Sequence, residues 1–355
     1  MKNYLYIFVL YAILVSASCH RKPEVIVPAV NTVTANILND FPTHIAVPNL
    51  LDLSNKSNEL YNSIQTFVAN PTDANLYTTQ QTWYATRKIW EQSEAFLFGP
   101  VSFKGLDPAI DDWPISYTEI DSVLKSSNTF TSAYIQNLNT TLKGFHPIEY
   151  MIFGLGGARK ANELTSRQKD YLLAVADNLK TITAQMYTEW QAQGGNYALQ
   201  VSSAGTSTSV YKTRKEALLE ITNSMIGIIS EVGEAKIGEP YTVIDSMLEE
   251  SPFSGNSWKD FAMNIQGAKN VYMCSYSAAG SGLHALTDLY NKSLDLKIIQ
   301  KMDAAFNNLN AYTTKFGKAI YNERPAVEST VQILTDLKKT LEDELIPLIQ
   351  TKVTN

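Results

Sequence analysis

Apolar residues recur at helical spacing along most of the chain, and this pattern predicts an all-α protein. Thr165-Ser166-Arg167-Gln168 has the form of a capping box, which opens a helix. The apolar stripe that follows has spacings of three and four and consists of Leu172, Val175, Leu179, Ile182 and Met186. Alternation typical of β-strands is scarce.

Two further stripes support the helical interpretation. One closes the chain and consists of Leu334, Leu337, Leu341 and Leu345. The other follows the Pro71-Thr72-Asp73 turn, has a spacing of seven, and consists of Leu76, Trp83, Trp90 and Leu97. It predicts a helix over residues 73–98.

A polar segment of small residues separates two helical halves. Between Gly194 and Val210 the chain is rich in glycine, serine and threonine, which is typical of a connection. Each half is long enough for a four-helix bundle. We therefore predict an N-terminal bundle over residues 36–195, a linker over 196–212 and a C-terminal bundle over 213–355.

The first eighteen residues have the pattern of a secretory signal peptide. Lys2 precedes an apolar run that is too short to span a membrane, and the small residues Ser16-Ala17-Ser18 stand directly before Cys19. This order predicts cleavage before Cys19, lipid attachment to that cysteine, and a tether over residues 19–35. The alternative is an ordinary signal peptide that is cut nearby.

The number of cysteines and the net charge indicate a buried thiol at Cys274 and make a nucleic-acid-binding function unexpected. If Cys19 carries lipid, Cys274 is the one remaining thiol, and its apolar-aromatic surroundings predict a buried side chain. Removing residues 1–18 removes Lys2 and no acidic residue, so the net charge changes from −6 to −7. The sequence has no basic stripe that would meet a phosphate backbone, so nucleic acid is not an expected partner.

His146 and Glu149 form the most informative pair in the sequence. They lie three residues apart, just past Gly144, which can end one helix before another begins. Residues i and i+3 project from the same helix face, and Pro147 fits the first turn of a helix. The spacing therefore predicts two side chains that point at one centre. The alternative is that His146 only packs in the core or lies at the surface.

Glu94 is anomalous within the predicted helix 73–98. It lies about 40° from Trp90 and about 60° from Leu97 around the helix axis, and therefore on the apolar stripe. A carboxylate that faces a core needs a partner, and Glu91 lies one turn earlier on a flank of the same face. The alternative is a surface pair between Arg87 and Glu91, with Glu94 hydrogen-bonded to a tyrosine.

The first half can thus assemble one imidazole among several carboxylates, to which the loop 105–114 adds an aspartate. Asp111 and its neighbour Asp112 can also simply cap the following segment. The candidate metal ligands are Glu91, Glu94, Asp111, His146 and Glu149. This oxygen-rich set suits iron, manganese or calcium better than structural zinc, which prefers Cys and His. The sequence contains no HExxH motif, so the common zinc-peptidase helix is missing.

The chain resembles the imelysin-like family, whose G-x-H-x-x-E signature is met by Gly144, His146 and Glu149. The segment 87–100, RKIWEQSEAFLFGP, resembles the family's W-x-x-x-E-x-F-x-F-G-P helix, and the segment 106–114, LDPAIDDWP, resembles its D-x-x-I-x-x-W-P loop. The segment from Glu163 to Tyr171, with Trp190 further on, resembles the helix after the signature. The resemblance extends over nearly the whole chain after residue 18.

The resemblance implies two helical bundles related by an old duplication, located at the cell envelope and associated with iron uptake. In a periplasmic iron-transport relative, a Y-E-x-I-E helix and a D-x-K-I-D loop accompany the His-x-x-Glu pair. By position these motifs imply metal-binding roles for Glu91, Glu94 and Asp111 beside His146 and Glu149. Trp90 and Ser93 stand where that relative has tyrosine and isoleucine.

Duplication would place a counterpart of the signature in the second half. Gly267 and Gly282 each begin a partial match, but Lys269 and Tyr272 replace His and Glu in the first, and Thr287 replaces Glu in the second. Neither match offers a comparable ligand pair. We therefore expect His284 to serve packing or capping, and the second half to support the first.

Three functions remain open from the sequence. The first is a metal-binding lipoprotein, anchored at the outer membrane or facing the periplasm, which acts in iron uptake with receptor or transporter components as partners. The second is a metallopeptidase of the imelysin type, in which a general base would accompany an open metal position. The third is a scaffold that docks an uptake partner and retains a vestigial pocket.

Overall fold

Helices follow one another along the whole of the computed structural model, which describes residues 27–354. The first half contains α1 (Val27–Asp40), α2 (Val47–Ala69), α3 (Asp73–Ser93), α4 (Pro100–Phe103), α5 (Tyr117–Lys125), α6 (Ser132–Gln136), α7 (Phe145–Phe153), α8 (Ser166–Trp190) and α9 (Tyr197–Ser202). The second contains α10 (Arg214–Glu231), α11 (Gly238–Val243), α12 (Ser257–Met273), α13 (Leu283–Ala311), α14 (Phe316–Asn322), α15 (Arg324–Thr340) and α16 (Ile346–Lys352). Three π-helical turns interrupt these helices, at Phe41–Ala46, Val232–Ile237 and Leu341–Leu345.

The predicted all-α class is confirmed. Residues 27–354 contain no β-strand, and the only strand-like pairing among them is an isolated bridge between Ser275 and Ala279. None of the described helices is both long and apolar enough to cross a membrane. The predicted signal peptide and Cys19 lie outside the described residues.

Local sequence explains where α8 begins. The Thr165 side chain accepts a hydrogen bond from the backbone N–H of Gln168, and the Gln168 side chain accepts one from the N–H of Thr165, as in a capping box. The predicted stripe from Leu172 to Met186 is buried throughout. The helix ends at Trp190, a few residues before Gly194 and Gly195.

The helix predicted over 73–98 ends earlier than expected. Its α-helical part is α3, which stops at Ser93, and Glu94–Phe96 form a 3₁₀ turn. Trp83 and Trp90 are fully buried, whereas Leu97 is only half-buried. The tighter turn places Glu94 at the end of the helix.

The hydrophobic core is continuous through both halves of the described chain. Helix α12 packs directly on α3, and Gly267 makes this approach close. A Cβ atom at position 267 would lie 2.3 Å from the backbone oxygen of Gln92. Gly267 therefore serves the packing of α12 on α3.

The segments outside the two predicted bundles are also packed. Residues 27–35, assigned to a tether from the sequence, form part of α1 instead, in which Val30 and Thr34 are buried. Residues 196–212, predicted as a linker, include α9, and the Tyr197 and Tyr211 hydroxyls lie 2.8 Å apart. The division into two domains at this segment stays a prediction.

Candidate metal centre

Gly144 positions the start of α7 against the loop that carries Asp111. Its φ of +86° lies in the left-handed region, and a Cβ atom there would lie 2.0 Å from the carbonyl oxygen of Ile110. The N–H of Phe145 donates to the same oxygen at 2.7 Å. Since His146 follows directly, the close approach that needs glycine also brings the imidazole to Asp111.

Two carboxylates hold the His146 ring, one at each nitrogen. Nδ1 lies 3.3 Å from Glu149 Oε2, as the i,i+3 spacing predicts. Nε2 lies 3.0 Å from Asp111 Oδ1 without the alignment of a hydrogen bond. Burial would lower the pKa of His146, but its contacts with Asp111 and Glu149 outweigh burial and raise that pKa to about 9.

Both carboxylate oxygens of Glu149 have partners in neighbouring residues. Its Oε1 accepts hydrogen bonds from the backbone N–H and the hydroxyl of Ser254, at 2.8 and 2.7 Å. Its Oε2 faces His146. Glu149 is therefore a side chain that orients the imidazole and ties α7 to the second half of the chain.

Arg87 lies at the centre of the buried acidic residues and contacts four carboxylates. Its Nε lies 2.6 Å from Glu91 Oε1, and its Nη2 lies 2.6 Å from Glu250 Oε1. Its Nη1 pairs with Asp111, and Asp260 lies 3.9 Å from Nε. The expected pair between Arg87 and Glu91 exists, but both side chains are fully buried and not at the surface.

Lys236 and Asn264 supply the partners of Glu94, where the alternative interpretation expected a tyrosine. Lys236 Nζ lies 2.9 Å from Glu94 Oε2, 2.8 Å from Glu250 Oε1 and 3.6 Å from Glu91 Oε2. The Asn264 amide donates to Glu94 at 2.5 Å and to Glu91 at 2.7 Å. Glu94 can therefore lie on an apolar stripe because side chains of the second half provide its ion pair and its hydrogen bond.

The indole of Trp90 orients Asp111 on the side away from Arg87. Trp90 Nε1 donates to Asp111 Oδ2 at 2.6 Å. Burial would raise the pKa of Asp111, but the Arg87 guanidinium outweighs burial and holds that pKa well below its usual range. Asp111 is therefore ionised, whereas its neighbour Asp112 accepts from the Thr140 hydroxyl and takes no part in the cluster.

Four carboxylates of the cluster, Glu91, Glu94, Glu250 and Asp260, hold protons more tightly than usual. Burial raises the pKa of Glu94 to about 7, with Lys236 opposing it. Burial also raises the pKa of Glu250 to about 7 and shifts those of Glu91 and Asp260 upward. Within the described chain, two permanent cations, Arg87 and Lys236, contact five buried carboxylates, which are Glu91, Glu94, Asp111, Glu250 and Asp260. The cluster has an excess of negative charge that protons or a metal ion can balance.

Two sets of side chains within the described residues bring metal-ligating atoms within 4.8 Å of one another. The first consists of Asp111, His146 and Glu250, and the second of Glu91, Glu94, Asp111 and Glu250. Four of the five residues predicted from sequence are in these sets. Glu149 is in neither, which fits its role beside the imidazole.

The second half contributes residues that the sequence argument missed, namely Lys236, Glu250, Asp260 and Asn264. A signal for two of them was present. Asp260 and Asn264 lie four residues apart on the face of α12 that continues to Gly267, the same kind of polar intrusion that identified Glu94. Nothing local identifies Lys236 or Glu250, because their partners are far away in the sequence.

Comparison with known proteins shows the family of this chain. The family model for imelysin matches residues 46–342. This chain belongs to the imelysin family. The expectation from the G-x-H-x-x-E signature is confirmed, and the residues of that signature lie at the start of α7 as described above.

Individual relatives match over nearly their whole length. Iron-regulated protein A of Synechococcus elongatus is 29% identical over 329 residues, which cover 90% of this chain and 87% of the relative. A solved structure from Parabacteroides distasonis that bears the name iron-regulated protein A precursor has a TM-score of 0.81 and 25% identity, and covers 95% of this chain and 97% of that one. An imelysin-like protein from Psychrobacter arcticum shares the fold, with a TM-score of 0.73, 13% identity, and coverage of 90% and 96%.

Proposed function

We propose that this protein binds iron in an iron-related role at the cell envelope, with Asp111, His146 and Glu250 as ligands. The observation that carries the proposal is the convergence of these three side chains in a buried cluster with excess negative charge. One imidazole and two carboxylates are donors that iron accepts readily. The names of the relatives, which describe iron regulation, support the choice of iron over other metals.

An unpartnered oxygen supports Glu250 as a ligand. Glu250 is fully buried, and its Oε1 is shared by Arg87 and Lys236. Its Oε2 has no hydrogen-bond partner in the structure. A buried carboxylate oxygen without a partner is costly, and a bound cation would satisfy it.

The positions of the two cations favour one ligand set over the other. The Lys236 ammonium lies among Glu91, Glu94 and Glu250, and so already provides a cation for the second set. In the first set, Asp111 and Glu250 also contact Arg87, but the His146 Nε2 lone pair and Glu250 Oε2 remain available once the imidazole is neutral. Glu91 and Glu94 would then hold Lys236 in place while the metal lies on the His146 side.

Glu149 would act through the imidazole. A carboxylate at Nδ1 fixes the tautomer that leaves Nε2 free for a metal, and such partners affect metal affinity by about 10–100-fold. Both oxygens of Glu149 are occupied by Ser254 and His146, which gives no support to a role as a general base in peptide hydrolysis.

Metal titration of the full chain without an affinity tag tests the proposal. Iron, manganese, calcium and zinc are added to chelator-treated protein, and both affinity and thermal midpoint are measured. We expect iron to raise the midpoint in the wild type by mass action. We expect His146→Ala and Asp111→Asn to remove the rise, and Glu149→Gln to weaken binding about 10–100-fold.

His284→Ala is the matched control, because His284 also lies at a helix start, half-buried, with its ring 6.5 Å from that of Tyr272. It should leave iron binding unchanged. A rise that survives His146→Ala would place the metal elsewhere, and no rise with any metal would favour the scaffold alternative. Cleavage of a peptide library by the wild type that is lost in Glu149→Gln would favour the peptidase alternative.

We further propose attachment to the envelope through lipid at Cys19, with uptake receptor or transporter components as partners. The support for lipid attachment is the order of signal peptide, small residues and cysteine in the sequence. Mass spectrometry of protein extracted from membranes should find an acylated N-terminal Cys19. An unmodified N-terminus further along the chain would contradict lipid attachment without affecting the metal centre.

A further inference from the structure

A cavity of 220 Å³ lies beside His146, and we call it the Trp113 cavity. One wall comes from the loop before α5 and the other from the segment before α12. The wall residues that shape it are Trp113, Ile115, Tyr117, Leu248, Pro252 and Phe253. These walls are apolar and largely aromatic, which is typical of a site for a small organic molecule.

The exposed fractions of the lining residues distinguish the mouth of the cavity from its inner end. Met247, which is 48% exposed, lies at the mouth. Glu250 and His146, at 0% and 1% exposure, lie at the inner end. A ligand that enters past Met247 would therefore meet its polar contacts last, at the deepest point.

The charged groups of the cavity favour a cation. None of the described residues that line the cavity is a lysine or an arginine. Two of its lining residues, Glu249 and Glu250, are acidic. His146, whose pKa is raised to about 9, also lines the cavity as a cation, but its two nitrogens already face the carboxylates of Asp111 and Glu149. Aromatic walls add to this preference, because ring faces attract cations. The Trp113 ring already attracts one cation, because the ammonium group of Lys236, which belongs to the buried ion cluster, lies 5.7 Å from its centroid.

The inner end also offers an unpartnered acceptor. Glu250 Oε1 is taken by Arg87 at 2.6 Å and by Lys236 at 2.8 Å, while Oε2 has no partner. Glu249 differs, because its Oε2 accepts from the Ser257 hydroxyl and from the N–H of Gly317. Glu250 is therefore the side chain with which a charged head group would pair.

We propose that the Trp113 cavity binds a small primary amine with an apolar body, whose ammonium group pairs with Glu250 Oε2. The cavity is smaller than the roughly 300–1,000 Å³ pockets of drug-sized ligands, so the apolar body is about one aromatic ring or one aliphatic side chain. Either a free amine or the amino terminus of a peptide carries this chemistry. Because the proposed function assigns the same oxygen to a metal ion, the amine and the metal would exclude each other, and the inference concerns the metal-free protein.

Calorimetric titration of chelator-treated protein with phenethylamine and 2-phenylethanol tests the proposal. The two probes have the same apolar body and differ in charge. We expect phenethylamine to bind at least about tenfold more tightly, because hydrogen bonds to charged groups are the stronger ones. Equal affinities, or tighter binding of the alcohol, would overturn the proposal.

Two variants locate the binding. Glu250→Gln keeps the shape of the side chain and should remove most of the preference for the amine. Since Glu250 also belongs to the buried ion cluster, Leu248→Trp serves as a second variant that fills the half-buried wall without touching the cluster. It should abolish binding of both probes while circular dichroism stays unchanged. Binding that survives Leu248→Trp would place the amine elsewhere.

Glu220→Gln is the matched control, because Glu220 is an exposed carboxylate that lines a different cleft. It should bind phenethylamine as the wild type does, and an equal loss in this variant would overturn the assignment. Asp111→Asn should disturb metal binding while leaving the cavity walls intact, which separates failure of the metal proposal from failure of this one.

A peptide arm distinguishes the two sources of the amine. The dipeptide Phe-Gly and its N-acetylated form are titrated under the same conditions. Binding of the dipeptide that is lost on acetylation would support recognition of an amino terminus. Equal binding of both forms would contradict pairing of an ammonium group with Glu250.

Discussion

Arg87 organises the buried acidic centre at the scale of a single residue. Its guanidinium contacts Glu91, Asp111 and Glu250 through three different nitrogens of one planar fork of donors. Removing it would leave the buried carboxylates with Lys236 and His146 as their only cations within the described chain. The cost of such a loss is far greater than that of an exposed ion pair.

We predict that Arg87→Met lowers the free energy of unfolding by about 3–5 kcal/mol, because it uncovers buried charge. Lys104→Met is the matched control. Lys104 pairs with Glu189 near the surface, with 39% of its side chain exposed, and its loss should cost below about 1 kcal/mol. Urea unfolding of both variants measures the difference. Similar losses in the two would show that the cluster is not held by Arg87.

The hydrophobic pattern of the sequence identifies Glu94 as a residue that needs a partner, but not the partner. Glu94 was identified from sequence because its position on an apolar stripe demands a partner. The partner itself, Lys236, is 142 residues away in the chain and belongs to a π-helical turn. The hydrophobic periodicity around Glu94 and around Lys236 does not predict that these two side chains are in contact.

At the scale of elements, two glycines determine how helices approach the site. Gly144 lets the start of α7 lie against Ile110, and Gly267 lets α12 lie against α3. The second contact brings Asn264 to Glu91 and Glu94. Each glycine is needed for close approach, and only the first is also needed for its backbone conformation.

We predict that Gly267→Ala destabilises the protein by about 1–3 kcal/mol, because its Cβ would lie 2.3 Å from the Gln92 oxygen and force α12 away from α3. Gly227→Ala is the control within a helix, since nothing lies within 4 Å of its Cβ, and it should stabilise α10 by up to about 1 kcal/mol. Denaturant midpoints at equal slope measure both. If both alanines stabilise, the close packing of α12 on α3 is not required.

For the whole molecule, the charge balance of the centre links stability to pH. Its titrating groups come from both halves, so their protonation acts on a core that is continuous across the chain. Burial raises the pKa of Glu94 and of Glu250 from 4.5 to about 7, and the contacts of His146 raise its pKa from 6.5 to about 9. In all three the folded protein holds its proton to a higher pH than the unfolded chain does.

The sign follows from these shifts. Groups with a raised pKa stabilise the fold fully below their unfolded pKa and lose that contribution as pH rises through the folded value. Asp111, whose pKa is lowered, has the opposite sign but acts only below 3.8. We therefore predict that the thermal midpoint of metal-free protein falls as pH rises from 4.5 to about 9.

Calorimetry at constant ionic strength measures this dependence. Glu94→Gln should flatten the curve, because it removes one of the groups that take up protons on folding. Bound iron should oppose the fall, since a metal replaces protons as the counter-charge and binds more tightly as ligands deprotonate. A midpoint that rises with pH in metal-free protein would contradict the assigned shifts.

The sequence by itself determined the all-α class, the start of α8, the buried stripes, and the placement of His146 and Glu149 on one face of a helix start. These features depend on contacts within a few residues, and helical periodicity records such contacts directly. The resemblance carried by the G-x-H-x-x-E signature added the family.

Only the tertiary structure decided how the acidic residues are held. It brought Lys236 and Glu250 to Arg87 and Glu94, assigned Glu149 to orientation of His146, and placed the Trp113 cavity next to the cluster. The physical reason is that buried charges require partners but do not specify where in the chain those partners lie. That choice depends on the packing of α12 and of the turn Val232–Ile237 against α3, across more than 140 residues of intervening chain.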